Sequence, residues 1–161
     1  MKAAARGEGA SAADAALLLA GLKASRSRDP DALVIGADQI LTCDGRWFDK
    51  PATPAEARAH LQALRGRSHT LETAIVCHRG GQEVWRYLVR PRLLMRAFSD
   101  TFLDAYLSLE GDAALASVGA YRLEGPGAQL FDRIEGEFSA ILGLPLLPLL
   151  AFLRQHGALL A

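Results

Sequence analysis

Hydrophobic positions along the chain recur with two different spacings, one helical and one extended. Ser11 and Asp14 have the spacing of a capping box, and Ala15, Leu18, Leu19 and Leu22 follow at i, i+3, i+4 and i+7. This predicts an amphipathic helix ending near Ser25. The apolar run from Ala32 to Ala37, with its β-branched pair Val34 and Ile35, predicts a strand buried on both faces. Asp38 stands at the end of that run. The strand continues through Ile40 and Leu41 to Asp44-Gly45, a tight-turn dipeptide, and Arg46, Trp47 and Phe48 return as a short partner closed by Lys50-Pro51.

Thr53, Pro54 and Glu56 supply an N-cap, a first-turn proline and the capping-box acid, so a second helix starts there and stops near Gly66. From His69, Leu71, Thr73, Ile75 and Cys77 fall on one face and Thr70, Glu72, Ala74 and Val76 on the other, a strand mostly covered on both sides. Gly80-Gly81 is a hairpin turn, and its partner strand runs from Glu83 to Arg96 with a bend at Pro91. Ser99 caps a third helix that turns Phe102, Leu103, Tyr106 and Leu107 inward and stops at Gly111. The glycine-rich stretch from Gly119 to Gly127 reads as a loop with a short strand at Tyr121 to Leu123. Another strand follows at Gln129 to Ile134. A last helix runs from Pro145, at its N1 position, to Gln155, with Gly157 beyond it. Helices and strands intermix, so the fold class is α/β or α+β, a central mixed β-sheet flanked by helices within a single domain over residues 1–161.

Composition narrows the function. The 161 residues include 18 basic and 18 acidic side chains and are 50% hydrophobic, the balance of an ordinary globular domain. Zero net charge excludes a bulk electrostatic grip on a nucleic acid polymer or an anionic membrane, so any phosphate chemistry has to be local. Cys43 and Cys77 form no Cys-x-x-Cys pair, which argues against a zinc site and a disulfide framework and makes a reducing cytoplasm the default. The opening run has Lys2 and Arg6 but no apolar core after them. The longest apolar stretch, Ala140 to Leu153, carries Pro145 and Pro148 and falls short of the roughly 20 residues of a bilayer span.

Asp38 is the best chemical candidate, because an acid at the end of a buried strand is where such sheets present functional groups; the alternative is a turn-forming aspartate. Lys50 is the second. Lys2, Lys23 and Lys50 are the chain's lysines, all other basic residues being arginine, so a retained lysine is weighed against plain surface solubility. His60, His69, His78 and His156 show no metal-ligand spacing, and there is no nucleophile elbow, Walker loop or dinucleotide fingerprint.

The order of short motifs is more specific than any one of them. Gly36-Ala37-Asp38-Gln39, Lys50-Pro51, Glu56-Ala57, Leu61 to Leu64, Gly66-Arg67-Ser68-His69, Thr73, Gly119-Ala120-Tyr121, Glu124-Gly125, Ile134-Glu135-Gly136 and Gly143-Leu144-Pro145 together resemble the Maf family of nucleoside triphosphate pyrophosphatases. The resemblance spans Ser11 to Gly157. It implies hydrolysis of a nucleoside triphosphate, or a modified one, to the monophosphate and pyrophosphate with a divalent cation, magnesium or manganese. It also implies a Maf-like fold, a cytoplasmic and commonly dimeric protein, and, for some members, a link to septum formation. Asp38 matches the family's catalytic acid, as proton acceptor for the attacking water or as metal ligand. Lys50 and Lys23 match basic positions near the phosphates. Gln39 and Arg67 are weaker matches, Gln39 as a neighbour of the acid and Arg67 as a residue that caps a turn. Glu124 falls where many members carry glutamine near the nucleotide, which exchanges two amide donors for a negative charge and unsettles the base preference.

Two departures accompany this match. A family lysine is replaced by Ser117, and the family's Ser-x-Ser-Pro-Arg-Arg phosphate cradle does not occur in the chain. Met1 to Ala5 resemble a region inside the family's domain, so the expectation is a domain incomplete at its N-terminus. The competing function is a catalytically impaired nucleotide-binding or scaffold remnant of the same fold. An RNA- or DNA-binding module has little support, since there is no basic-aromatic patch.

Overall fold

A computed structural model of the chain describes Gly7, residues 9–27 and residues 29–160; Lys2 and Arg6 of the opening run lie outside the described residues. Among the described residues the helices include α1 (Ala12–Ala24), α2 (Pro54–Leu64), α3 (Asp100–Glu110), α4 (Phe138–Ile141) and α5 (Leu146–Gln155). The strands are β1 (Leu33–Cys43), β2 (Arg46–Phe48), β3 (Ser68–Arg79), β4 (Gln82–Val89), β5 (Arg92–Met95) and β6 (Phe131–Glu135). They join in the order β2-β1-β3-β5-β6, with β4 on β3, in a six-stranded sheet that gives the expected mixed α/β architecture. The pairings β1–β2, β3–β4, β3–β5 and β5–β6 are antiparallel. Among the described residues no helix is long and apolar enough to cross a membrane.

The capping signals work as read. Ser11 Oγ accepts the Asp14 amide at 3.1 Å, Thr53 Oγ1 accepts that of Glu56 at 3.2 Å, and Ser99 Oγ accepts that of Phe102 at 3.1 Å. Each such cap contributes about 1 kcal/mol by satisfying a first-turn amide. Asp44 (φ 48°) and Gly45 (φ 76°) both take the left-handed conformation, which makes the two-residue turn that sets Cys43 opposite Arg46.

The chain divides into two compact units. The first comprises the described residues of Met1–Gln39, Glu72–Arg90 and Glu137–Ala161; the second comprises Ile40–Leu71 and Pro91–Gly136. In the first, α1 lies against one face of the strands. A Cβ on Gly36 would stand 2.1 Å from the Ala20 carbonyl oxygen and 2.6 Å from the Ala24 nitrogen, so only glycine admits the helix backbone there. On the other face Ile75 and Cys77 pack with Leu149 and Phe152 of α5. An aromatic row runs along that face: Tyr87 stacks on Trp85 at 5.9 Å, Trp85 on Phe152 at 4.7 Å, and Phe152 meets His156 at 4.1 Å between ring centroids. In the second unit α2 and α3 bury Ala57, Leu61, Leu64, Leu103 and Tyr106, and the strands bury Leu41, Phe48, Leu71, Leu93 and Met95. His69 is only 2% exposed and meets the Tyr121 hydroxyl at 2.8 Å.

Several boundaries differ from the expected ones. The first strand runs on through Ile40 and Leu41 as expected, which puts Asp38 within β1, but it is not buried on both faces, since Ile35 is 42% exposed. The single bent strand from Glu83 to Arg96 is two strands broken before Pro91, which has no N–H to continue a ladder. Its pieces pair with different stretches of β3, β4 with Thr73 to Arg79 and β5 with Ser68 to Thr70. No strand forms at Tyr121 to Leu123. Three 3-10 segments, Gly111–Ala116, Val118–Ala120 and Pro126–Leu130, flank that stretch, and positive φ at Gly119 (76°) and Ala120 (63°) turns the chain just before it. Those turns also delay β6 to Phe131. The short helix α4 was not expected, and Pro145 caps α5 instead of occupying its first turn.

Two outcomes test this packing. Gly36→Ala should destabilise the protein by about 3 kcal/mol, because the methyl group meets backbone rather than a movable side chain; a chemical-denaturation midpoint equal to wild type would refute the close approach. Burial holds the His69 imidazole down to about 4, against the ordinary 6.5 it regains on unfolding. As pH falls from 6.5 towards 4 the unfolded state takes the proton first, so stability should drop by on the order of 3 kcal/mol across that window. His60, also held down chiefly by burial, adds to the slope. Urea midpoints measured between pH 7.5 and 5 should show the fall, and His69→Gln should remove most of it.

Candidate functional site

Position 38 is reached from two directions in the first unit. Strand alternation puts Gly36 and Asp38 on one face of β1, the face against which α1 lies. The last turn of α1 carries Lys23, whose Nζ donates to Asp38 Oδ1 at 2.5 Å and to the Ala37 carbonyl oxygen at 2.7 Å. The Asp38 side chain is only 9% exposed, while that of Lys23 is 46% exposed. The carboxylate is thus sheltered and the ammonium reaches solvent. An ammonium has three donors; with two directed at Ala37 and Asp38, the third can meet an incoming anion.

Gln39, one residue on, turns to the opposite face. Its Nε2 donates to Thr73 Oγ1 at 2.8 Å and to the carbonyl oxygens of Ala140 and Ile141, each at 3.1 Å. Thr73 Oγ1 in turn donates to Ala140 O at 3.1 Å. Gln39 therefore ties β1 to β3 and the end of α4, and the structure does not bring it to the Asp38 face.

The remaining candidates lie in the second unit. Lys50 is exposed in the segment after β2, between buried Phe48 and buried Pro51. Arg67 Nη1 donates to Asp44 Oδ2 at 2.8 Å, a pair with both side chains more than half exposed and worth little to stability. Glu124 is exposed on the turn in which the Gly125 amide donates to Arg122 O at 3.3 Å. Beneath that turn, Arg122 Nε donates to Glu110 Oε1 at 2.5 Å, and the Glu110 side chain has no exposure. Hydrogen bonding to Glu110 raises the Arg122 guanidinium further, and burial raises the Tyr106 hydroxyl next to it. This buried acid and its partly exposed partner were missed in the sequence although a signal existed. Glu110 continues the inward series Leu103, Tyr106, Leu107 at the next helical step, where an acid needs a partner.

The donor set at Asp38 bears on the expected cation. Among the described residues no group of three or more histidine, cysteine, aspartate or glutamate side chains could hold a metal ion. A hard cation at Asp38 would rest on one carboxylate and complete its shell with phosphate oxygens and water, an arrangement magnesium commonly takes. The residues fit such a cation only with an anionic ligand present.

The chain is similar to known proteins over nearly its whole length. The family model described as Maf-like protein matches residues 2–156. A nucleoside triphosphate pyrophosphatase of Granulibacter bethesdensis is 59% identical over 156 residues, covering 96% of this chain and 79% of its own length. One of Rhodospirillum rubrum is 54% identical over 163 residues, covering 100% of this chain and 81% of its own. A 7-methyl-GTP pyrophosphatase of Rhizobium meliloti is 50% identical over 153 residues, covering 94% of this chain and 77% of its own.

Proposed function

The chain belongs to the Maf family, and on that premise we propose that it is a hydrolase that splits the anhydride between the α and β phosphates of a nucleoside triphosphate, releasing the monophosphate and pyrophosphate. The observation that carries this reading is the sheltered Asp38 carboxylate with Lys23 on it at 2.5 Å. Asp38 accepts the proton of the attacking water, and its shelter on the α1 face keeps bulk water from competing for the carboxylate. Lys23 holds that carboxylate in one orientation and directs its remaining N–H at a phosphate oxygen, where negative charge grows as the anhydride breaks. A divalent cation, magnesium or manganese, when bound at Asp38 and the phosphates, supplies Lewis-acid polarisation of a phosphoryl oxygen.

Lys50 and Glu124 enter this reading through the resemblance alone, Lys50 as a further phosphate-binding cation and Glu124 as a contact for the base. A carboxylate accepts hydrogen bonds and donates none, so Glu124 favours a base edge that presents N–H groups, and it tolerates a positively charged base better than glutamine would. Guanine has such an edge and carries a positive charge when methylated at N7. The relative named a 7-methyl-GTP pyrophosphatase makes that nucleotide worth including among the substrates tried. Buried thiols at Cys43 and Cys77 suit a reducing compartment such as the cytoplasm. Nothing in the geometry or the comparisons favours the impaired remnant.

Pyrophosphate release should be measured over ordinary and N7-methylated nucleoside triphosphates with magnesium or manganese. Asp38→Asn should lower kcat by about a thousandfold, the usual worth of a positioned general base, with an unchanged circular-dichroism spectrum. Turnover that survives Asp38→Asn would remove Asp38 from the chemistry. A wild-type chain that binds nucleotide without turnover would establish the remnant instead.

A further inference from the structure

We propose that Glu56 is a positioning residue for Lys50, acting through the backbone on the C-terminal side of the Lys50-Pro51 segment. This rests on the reading in which Lys50 binds phosphate. A capping-box glutamate ordinarily reaches back to the amide of the N-cap residue. Here the N-cap is Thr53, yet Glu56 Oε2 accepts from the amide of Ala52 at 2.8 Å, one residue further out. Thr53 Oγ1 accepts the Glu56 amide at 3.2 Å and so fixes the start of α2. The glutamate grips chain that lies outside the helix.

The other end of the segment is held from the same helical face. His60, one turn after Glu56, is 5% exposed and sets its ring edge-on to Phe48 at 5.2 Å, and Phe48 is itself paired with Leu41 in the β1–β2 hairpin. Glu56 Oε1 lies 3.7 Å from His60 Nε2, so the two grips sit side by side on the helix. One turn of α2 therefore clamps Phe48 on one side and Ala52 on the other. Asp49 and Lys50 stand exposed between them, with Pro51 buried and its φ restricted by its ring. Lysine has a long, entropically costly side chain, and a fixed backbone beneath it reduces what is lost when it closes on an anion.

Steady-state kinetics of pyrophosphate release test this. Glu56→Ala should lower kcat/KM about tenfold, the scale on which a displaced positioning group acts. Glu56→Gln keeps an acceptor oxygen for the Ala52 amide and should stay within about threefold of wild type. Thr53→Ala removes the cap on the Glu56 amide but leaves the Glu56 carboxylate to accept from Ala52, and should cost less in kcat/KM than Glu56→Ala. The decisive arm is the Lys50→Met background, in which Glu56→Ala should cause no further loss. An equal loss from Glu56→Ala with and without Lys50, or an equal loss in Thr53→Ala, overturns the positioning role. Lys50→Met with full activity overturns the reading of Lys50 itself, and this proposal with it. Amide exchange at Ala52 gives a readout free of activity: it should be faster in Glu56→Ala and unchanged in Glu56→Gln, and unchanged exchange in both overturns the proposal.

Discussion

The close approach of α1 to β1 across Gly36 is the constraint on which the candidate site depends. With the helix resting on strand backbone, its last turn comes level with Ala37 and Asp38, and Lys23 reaches both the carbonyl and the carboxylate. Any side chain at position 36 would lift the helix and take the ammonium with it. The aspartate side of the pair is desolvated, so removing the lysine leaves a sheltered, uncompensated charge, which is not so for the exposed Arg67–Asp44 pair, and the contact is directional because the lysine has two anchors.

Much of the fold was legible because local chemistry was consistent with it. Ser11, Thr53 and Ser99 cap the helices they were expected to cap, and Asp44-Gly45 and Gly80-Gly81 turn the hairpins. Long-range competition hid the rest. Pro91 could be seen, but whether it bends a strand or ends it depends on which partners lie beyond; β5 has β6 waiting on its other edge and β4 does not. The stretch after Gly111 has no hydrophobic period to read. Its three 3-10 segments are held by tertiary bonds such as Tyr106 Oη donating to Ala120 O at 3.1 Å. Short helix α4 is likewise a product of its surroundings, with Ser139 Oγ accepting the Leu146 amide at 3.1 Å.

At the site, spacing alone could nominate Asp38 but could not pair it with Lys23, fifteen residues earlier on another element. Parity could have separated Gln39 from Asp38, since neighbours on a strand face opposite ways, and the structure turns that amide to Thr73 and α4. Glu56 was read as a helix-start residue, which it is. Its grip on Ala52 was illegible because the standard capping box closes one residue later in the chain.

The aromatic row on the α5 face has an optical consequence. The chain has two tryptophans, Trp85 stacked between Tyr87 and Phe152 in the first unit and Trp47 on β2 in the second. Each compact unit thus carries its own intrinsic fluorophore. Replacing either indole by phenylalanine leaves a single tryptophan, whose red-edge excitation avoids the three tyrosines, so the melting of the two halves can be followed separately in a chain that needs no attached dye.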